Sequence, residues 1–124
     1  IKNIESQLCK DNNYSLGYYK DNNLVGVLIG EKINNDKDSD LELHILFVLK
    51  DQRRKQIATK LLNYIEKNVI NLSKIFIEVA EDNVDAISFY QKNDFVFFNF
   101  RHNYYRYNDK NIHAKCFIKK IVNE

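Results

Sequence analysis

Three sets of side chains in this sequence have the chemistry of one reaction. A carboxylate, Glu78, stands near the end of the strand-like run Ser73–Glu81 (SKIFIEVAE), and a phenol, Tyr90, follows within AISFYQKNDF. Arg53, Arg54 and Lys55 cluster with Gln56 where the apolar run Ile45–Leu49 gives way to an amphipathic helix. Backbone N–H groups at a helix start have no helical partner and lie at the positive end of the dipole. Three cations there oppose that dipole unless an anion such as a phosphate sits among them. Strand, anion turn, carboxylate and phenol together suggest an acyl-CoA enzyme. The plainer readings are a solvated first helical turn, a strand-end carboxylate paired with a neighbouring cation, and a core tyrosine with a satisfied hydroxyl.

The pattern of apolar residues supplies the elements that must hold these groups. Tyr14–Lys20 and Leu24–Ile33 read as strands joined at Asp21-Asn22-Asn23, hence an antiparallel hairpin. Asn34–Ser39 reads as a loop. From Leu41 the chain alternates Leu41, Leu43 and Ile45 with Glu42 and His44 and then turns wholly apolar, which predicts a central strand that becomes fully buried towards Leu49. Ile57, Ala58, Leu61, Leu62, Ile65 and Val69 form one helical stripe. Strand, helix and the next strand at Ser73–Glu81 then imply a parallel pair. Asp82 or Asn83 caps a second helix running through Gln91. Phe95–Phe100 and Lys115–Val122 read as closing strands around the loop RHNYYRYNDKN. The first residues look like the tail of a helix, so a preceding helical segment is expected.

Composition narrows the class. A chain of 124 residues, 44% apolar, fits a single domain (1–124) with one core. A net charge of +2 spread along the chain argues against a DNA or membrane footprint. No run reaches the length of a membrane span and no signal-peptide pattern opens the chain, so a soluble, cytoplasmic protein is expected. Cys9 and Cys116, far apart and outside any CxxC, are expected as free thiols. His44, His102 and His113 share no ligand spacing, so no metal is expected. With no Pro, no Met and three Gly, turns that ordinarily take glycine must be built from Asn or Asp.

IFIEVAEDNVDAISFYQKNDF and RHNYY resemble the RimI-type branch of the GNAT acetyltransferases, the ribosomal-protein alanine N-acetyltransferases, and the similarity runs from about Tyr14 to Val122. The family's pattern of Glu, Asn five positions on and Tyr seven beyond falls on Glu78, Asn83 and Tyr90, and its pyrophosphate motif (Q/R)xxGx(G/A) falls on Arg53 to Ala58. The resemblance implies an α/β (α+β) GNAT fold: a mixed, mostly antiparallel sheet splayed between two central parallel strands, with helices on both faces. It implies acetyl-CoA as the acyl donor, its pantetheine arm along Leu46, Phe47 and Val48. The pyrophosphate would lie against Arg53, Arg54, Lys55, Gln56, Ile57, Ala58 and Thr59, with Asn83 as a further contact. It implies Glu78 as base and Tyr90 as acid in direct transfer to a protein N-terminal amine, such as that of a ribosomal protein, on a monomer or weak dimer. Arg101, Tyr104 and Tyr105 would border the acceptor cleft and grip the peptide.

That chemistry makes sense of the residue types. Acetyl transfer requires a neutral amine, a polarised carbonyl and a protonated leaving thiolate. A strand-end carboxylate is a base whose charged form burial disfavours. Tyrosine at about 10 donating to a thiolate at about 8.5 is mildly uphill, so positioning must supply the advantage. A backbone N–H near Phe47 or Val48 is expected to face the reacting oxygen if the parallel strands part there. Three departures from the family pattern stand out: Gln56 where the motif has glycine, Asp94 before Phe95, and Ile112-His113 in place of an acidic pair. A small amine or lysine acceptor, a non-catalytic acyl-CoA-binding module, and an RNA-binding surface on Arg101–Tyr107 are the alternative readings. Glu31 and Glu42 are further carboxylates able to meet a cationic acceptor.

Overall fold

The computed structural model describes residues 4–8, 12–34, 37–53, 56–107 and 109–122, and most of these described residues belong to seven strands and two α-helices. In chain order they are β1 (Ile4–Leu8), β2 (Asn13–Lys20), β3 (Asn23–Asn34), β4 (Ser39–Val48), α1 (Ile57–Asn68), β5 (Leu72–Ala80), α2 (Val84–Lys92), β6 (Val96–Tyr107) and β7 (Lys110–Lys120). The sheet runs β1-β2-β3-β4-β5-β7-β6, antiparallel throughout except for the central β4–β5 pair. This is the mixed sheet expected from the sequence. No helix among the described residues is long and apolar enough to cross a membrane.

Local chemistry explains most of the elements. The β2–β3 hairpin closes on Asp21 and Asn22, both left-handed (φ 52° and 65°), as a two-residue primed turn requires. Asn12, Asn71, Asp94 and Asp109 also have positive φ, and no glycine does, so Asn and Asp take over the turns glycine usually makes. Asp94 at the family's glycine position is one of them. Helix α1 buries Ile57, Leu61, Leu62 and Ile65 against the sheet. The two crossovers, β4–α1–β5 and β5–α2–β6, advance in the same direction, so right-handed connections put both described helices on one face. A hydrogen bond from the Thr59 hydroxyl to Asn93 Oδ1 (3.4 Å) joins them. On the opposite face, where helices were also expected, the described residues present Glu42, Phe76 and Glu78.

Three expectations are corrected. Ile4–Leu8 is a strand, not the tail of a helix: it pairs with β2 from Ile4↔Tyr18 to Leu8↔Tyr14, and the ladder with the β2 edge fixes its extended state. The RHNYYRYNDKN segment is not a loop, because β6 continues to Tyr107 and pairs with β7 as far as Tyr107↔Lys110. Tyrosine-rich sequence suits a paired strand, and the added residues are absorbed by irregularities at Phe97/Asn99 and Arg101/Tyr105. Finally, β4 does not become fully buried. Ile45 and Phe47 remain 46% and 48% exposed, and Leu49 is exposed beyond them.

The cause is the register. β4 and β5 pair from Ser39↔Leu72 to Leu43↔Ile77 and then part. At the same point β4 bulges: Gly30 opposes Leu43 and Ile29 opposes Ile45, leaving His44 extra. An extra residue reverses which side chains face the core, so burial passes from Leu41 and Leu43 to Val48, and Ile45 and Phe47 turn outward. Gly30 permits the close approach, since a Cβ there would stand 2.9 Å from the Glu42 carbonyl oxygen and 3.3 Å from Leu41.

Two backbone substitutions test this account by equilibrium urea denaturation. Gly30→Ala is expected to lower stability by about 1–3 kcal/mol, since the neighbour it meets is backbone that cannot rotate away; unchanged stability would mean the bulge accommodates a side chain. Gln56 at the start of α1 is the described positive-φ residue that is neither Asn nor Asp (φ 61°). Gln56→Gly should therefore raise stability by about 0.5–1 kcal/mol.

Candidate active site

The wedge left where β4 and β5 part has one wall built from β4. Leu49 N–H donates to Val25 O at 2.9 Å, and strand alternation then directs Phe47 N–H to β3 and leaves Leu46 and Val48 facing the open side. Both donors expected to be available belong to residues registered on β3, but by that alternation the Val48 N–H points to the open side and the Phe47 N–H points to β3. Arg53 closes the near end: its Nε donates to Val48 O at 2.9 Å and its guanidinium sits 5.5 Å from the Phe47 ring centroid. A 3₁₀ turn, Lys50–Gln52, connects strand to basic turn.

The first hydrogen bond of α1 runs from Lys60 N–H to Gln56 O, so the N–H groups of Ile57, Ala58 and Thr59 make none within the helix. Gln56 caps this end without a side-chain hydrogen bond, and no acidic residue lies in the first turn. The left-handed backbone at Gln56 is the conformation glycine would supply at this motif position, and its side chain is exposed. The helix start thus presents free backbone N–H groups of the kind that attract an anion, with backbone strain at Gln56. Arg54 and Lys55 lie outside the described residues. Asn83 caps α2, its Oδ1 accepting from Ala86 N–H at 3.2 Å.

Farther along the same wedge a cavity of about 440 Å³ opens on the face opposite the two described helices, lined in part by Glu42, His44, Phe76, Glu78, Arg101 and Cys116. Glu78 sits one residue past the last β4–β5 pair, and its cross-strand neighbour on β7 is Cys116. Glu78 Oε1 accepts from Arg101 Nη1 at 2.8 Å, with the carboxylate side chain 27% and the guanidinium 53% exposed. The carboxylate whose charge burial was expected to disfavour therefore faces a cation, as in the plainer reading of a paired strand-end carboxylate. Arg101, expected in a loop, is a β6 residue reaching over β7, whose small Ala114 and Cys116 leave room on that face. The side chains of Tyr104 and Tyr105 lie outside the described residues. Cys116 is a buried free thiol, held above its usual pKa by burial first and then by the Glu78 charge. Cys9 lies outside the described residues.

Tyr90 is not part of this cavity. It is 5% exposed in the core, edge-on to Phe89 (5.3 Å) and Phe95 (5.2 Å), and burial pushes its phenol well above the ordinary tyrosine value. Glu42 and Cys116 join Glu78 although neither belongs to the matched motif. The alternation of Glu42 with Leu41 and Leu43 was the available signal for Glu42, while the pairing that brings Cys116 alongside depends on β7 inserting between β5 and β6. Glu31 pairs instead with His44 (3.7 Å). Among the described residues no group of His, Cys, Asp or Glu is arranged to hold a metal ion.

Known proteins share this architecture. The structure is similar to the ribosomal-protein alanine N-acetyltransferase of Escherichia coli (TM-score 0.77, 20% identity, covering 94% of this chain and 74% of that one). It is similar to Arabidopsis thaliana NAA60 in complex with a bisubstrate analogue (0.77, 16%, 90% and 76%). It is also similar to Arabidopsis thaliana Naa50 in complex with the bisubstrate analogue CoA-Ac-MVNAL (0.74, 23%, 86% and 72%). No curated protein sequence is significantly similar to the chain. The sequence profile of the Acetyltransferase (GNAT) family matches residues 2–95. With the parted parallel strands and the turn that leads into α1, that match places the chain in the GNAT acetyltransferase family.

Proposed function

We infer that this protein transfers an acetyl group from acetyl-CoA to a protein N-terminal amine, as the RimI-type enzymes do. The observation that carries the reading is Glu78, set in a cavity at the point where β4 and β5 part. The structural likeness to an alanine N-acetyltransferase and to two proteins solved with bisubstrate analogues supports a peptide acceptor.

In this reading the β4 backbone at Leu46 and Val48 holds the pantetheine arm, Arg53 closes the wall, and Gln56 to Thr59, with Arg54 and Lys55, hold the pyrophosphate. Asn83 orients the start of α2 beside it. Acetyl-CoA supplies an activated thioester. Glu78 takes one proton from the incoming ammonium and passes it to solvent, the neutral amine forms a C–N bond at the acetyl carbon, the C–S bond breaks as Tyr90 gives its proton to the departing sulfur, and the second proton lost by the nitrogen restores the Tyr90 phenol. Val48 N–H is the donor for the developing oxygen charge. Burial makes Tyr90 a more reluctant acid than tyrosine in water. A thiolate forming in the same dry surroundings is correspondingly more basic, so the two effects offset in part.

Thiol release and N-terminal acetylation of a peptide beginning with Ala, measured together, test the reading; binding of acetyl-CoA without thiol release would favour a binding module. Glu78→Gln should lower kcat at neutral pH by about 10²–10⁴-fold with acetyl-CoA affinity near normal, and full turnover would remove Glu78 from the mechanism. Tyr90→Phe should slow turnover by a smaller factor. Because the folded phenol keeps its proton beyond the usual tyrosine range, an alkaline fall in rate below about pH 10 belongs to another group and should persist in Tyr90→Phe.

A further inference from the structure

We propose that Arg101 is a positioning residue that holds Glu78 in the acceptor-free enzyme and exchanges with the cationic amine of the acceptor, so that entry and departure are keyed to the acceptor's charge. This rests on Glu78 being the base in the reading above. The pair is direct, 2.8 Å, and spans two strands across β7. A guanidinium and an ammonium on one carboxylate repel each other, and transfer of the ammonium proton to Glu78 would leave Arg101 facing a neutral acid. Productive binding therefore requires Arg101 to leave. The Arg101 side chain is 53% exposed, so water has access to take the place of Glu78 around it.

The surrounding groups suit an incoming cation. Glu42 and His44 face the cavity from β4, Glu78 from β5, Cys116 from β7 and Arg101 from β6. Two carboxylates meet one permanent cation, so releasing Arg101 leaves a cavity of negative charge that an ammonium can enter. Acetylation then removes that charge. The neutral amide has no cation with which to hold Glu78, and Arg101 returns as the product leaves.

Calorimetric titration of an Ala-starting peptide and its N-acetylated counterpart into the CoA complexes of wild type, Arg101→Gln and Arg101→Lys tests this, alongside steady-state rates. Arg101→Gln should bind the free-amine peptide about fivefold tighter, with a matching fall in its KM and no rise in kcat, while binding of the N-acetylated peptide is unchanged. Arg101→Lys should behave as wild type. Added guanidinium ion should inhibit Arg101→Gln competitively against the peptide. Weaker binding of the free amine in Arg101→Gln would make Arg101 a peptide-gripping residue and overturn the proposal. Equal changes for both peptides, no change for either, or no detectable free-amine binding by either protein would overturn it as well. Selective tightening without any thiol release would support the exchange while refuting the acetyl-transfer reading.

Discussion

The ladder between β4 and β5 ends at Leu43↔Ile77, and the site follows from that termination. Two buried parallel strands ordinarily keep pairing, because an unpaired ladder group away from water carries a cost comparable to a lost hydrogen bond. Here the extra residue at His44 turns β4 away while its other edge stays paired to β3. The result is a wedge with backbone donors on one wall, a carboxylate just past the last pair on the other, and a helix start at its end.

Packing on the helical face keeps this arrangement rigid. Ile57, Leu61, Leu62 and Ile65 of α1 join Leu28, Leu41, Leu43, Ile75 and Ile77 in one core, so the helix start cannot shift without disturbing the sheet. Gly26 belongs to the same contact, with Ile57 Cγ2 3.0 Å from where its Cβ would stand. Glu66 and Lys119 (2.9 Å) tie the far half of α1 to β7, the strand that also carries Cys116 beside Glu78. The polar face thus borrows its precision from the apolar one.

Elements governed by local chemistry were legible in the sequence: the Asp21-Asn22 turn, the α1 stripe, the Asn83 cap and the parallel crossover. What escaped depended on partners distant in sequence. Ile4–Leu8 takes its state from the edge of β2, and Arg101–Tyr107 from pairing with β7. The run Ile45–Leu49 is as apolar as a core strand, and the bulge at His44 together with the departure of β5 explains why Ile45, Phe47 and Leu49 are exposed. Glu78 could be named from the motif, but its cation could not, since Arg101 reaches it across an intervening strand placed out of sequence order. The left-handed backbone at Gln56 was hidden for a different reason: glutamine gives no local sign of that conformation.

Ile45, Phe47 and Leu49 have a thermodynamic implication of their own. They form a strip of greasy surface that the fold leaves wet, in effect a piece of interior awaiting its counterpart. A molecule that lies along the strip withdraws this surface from water, so its association carries a negative heat-capacity change and its melting temperature depends on ligand supply.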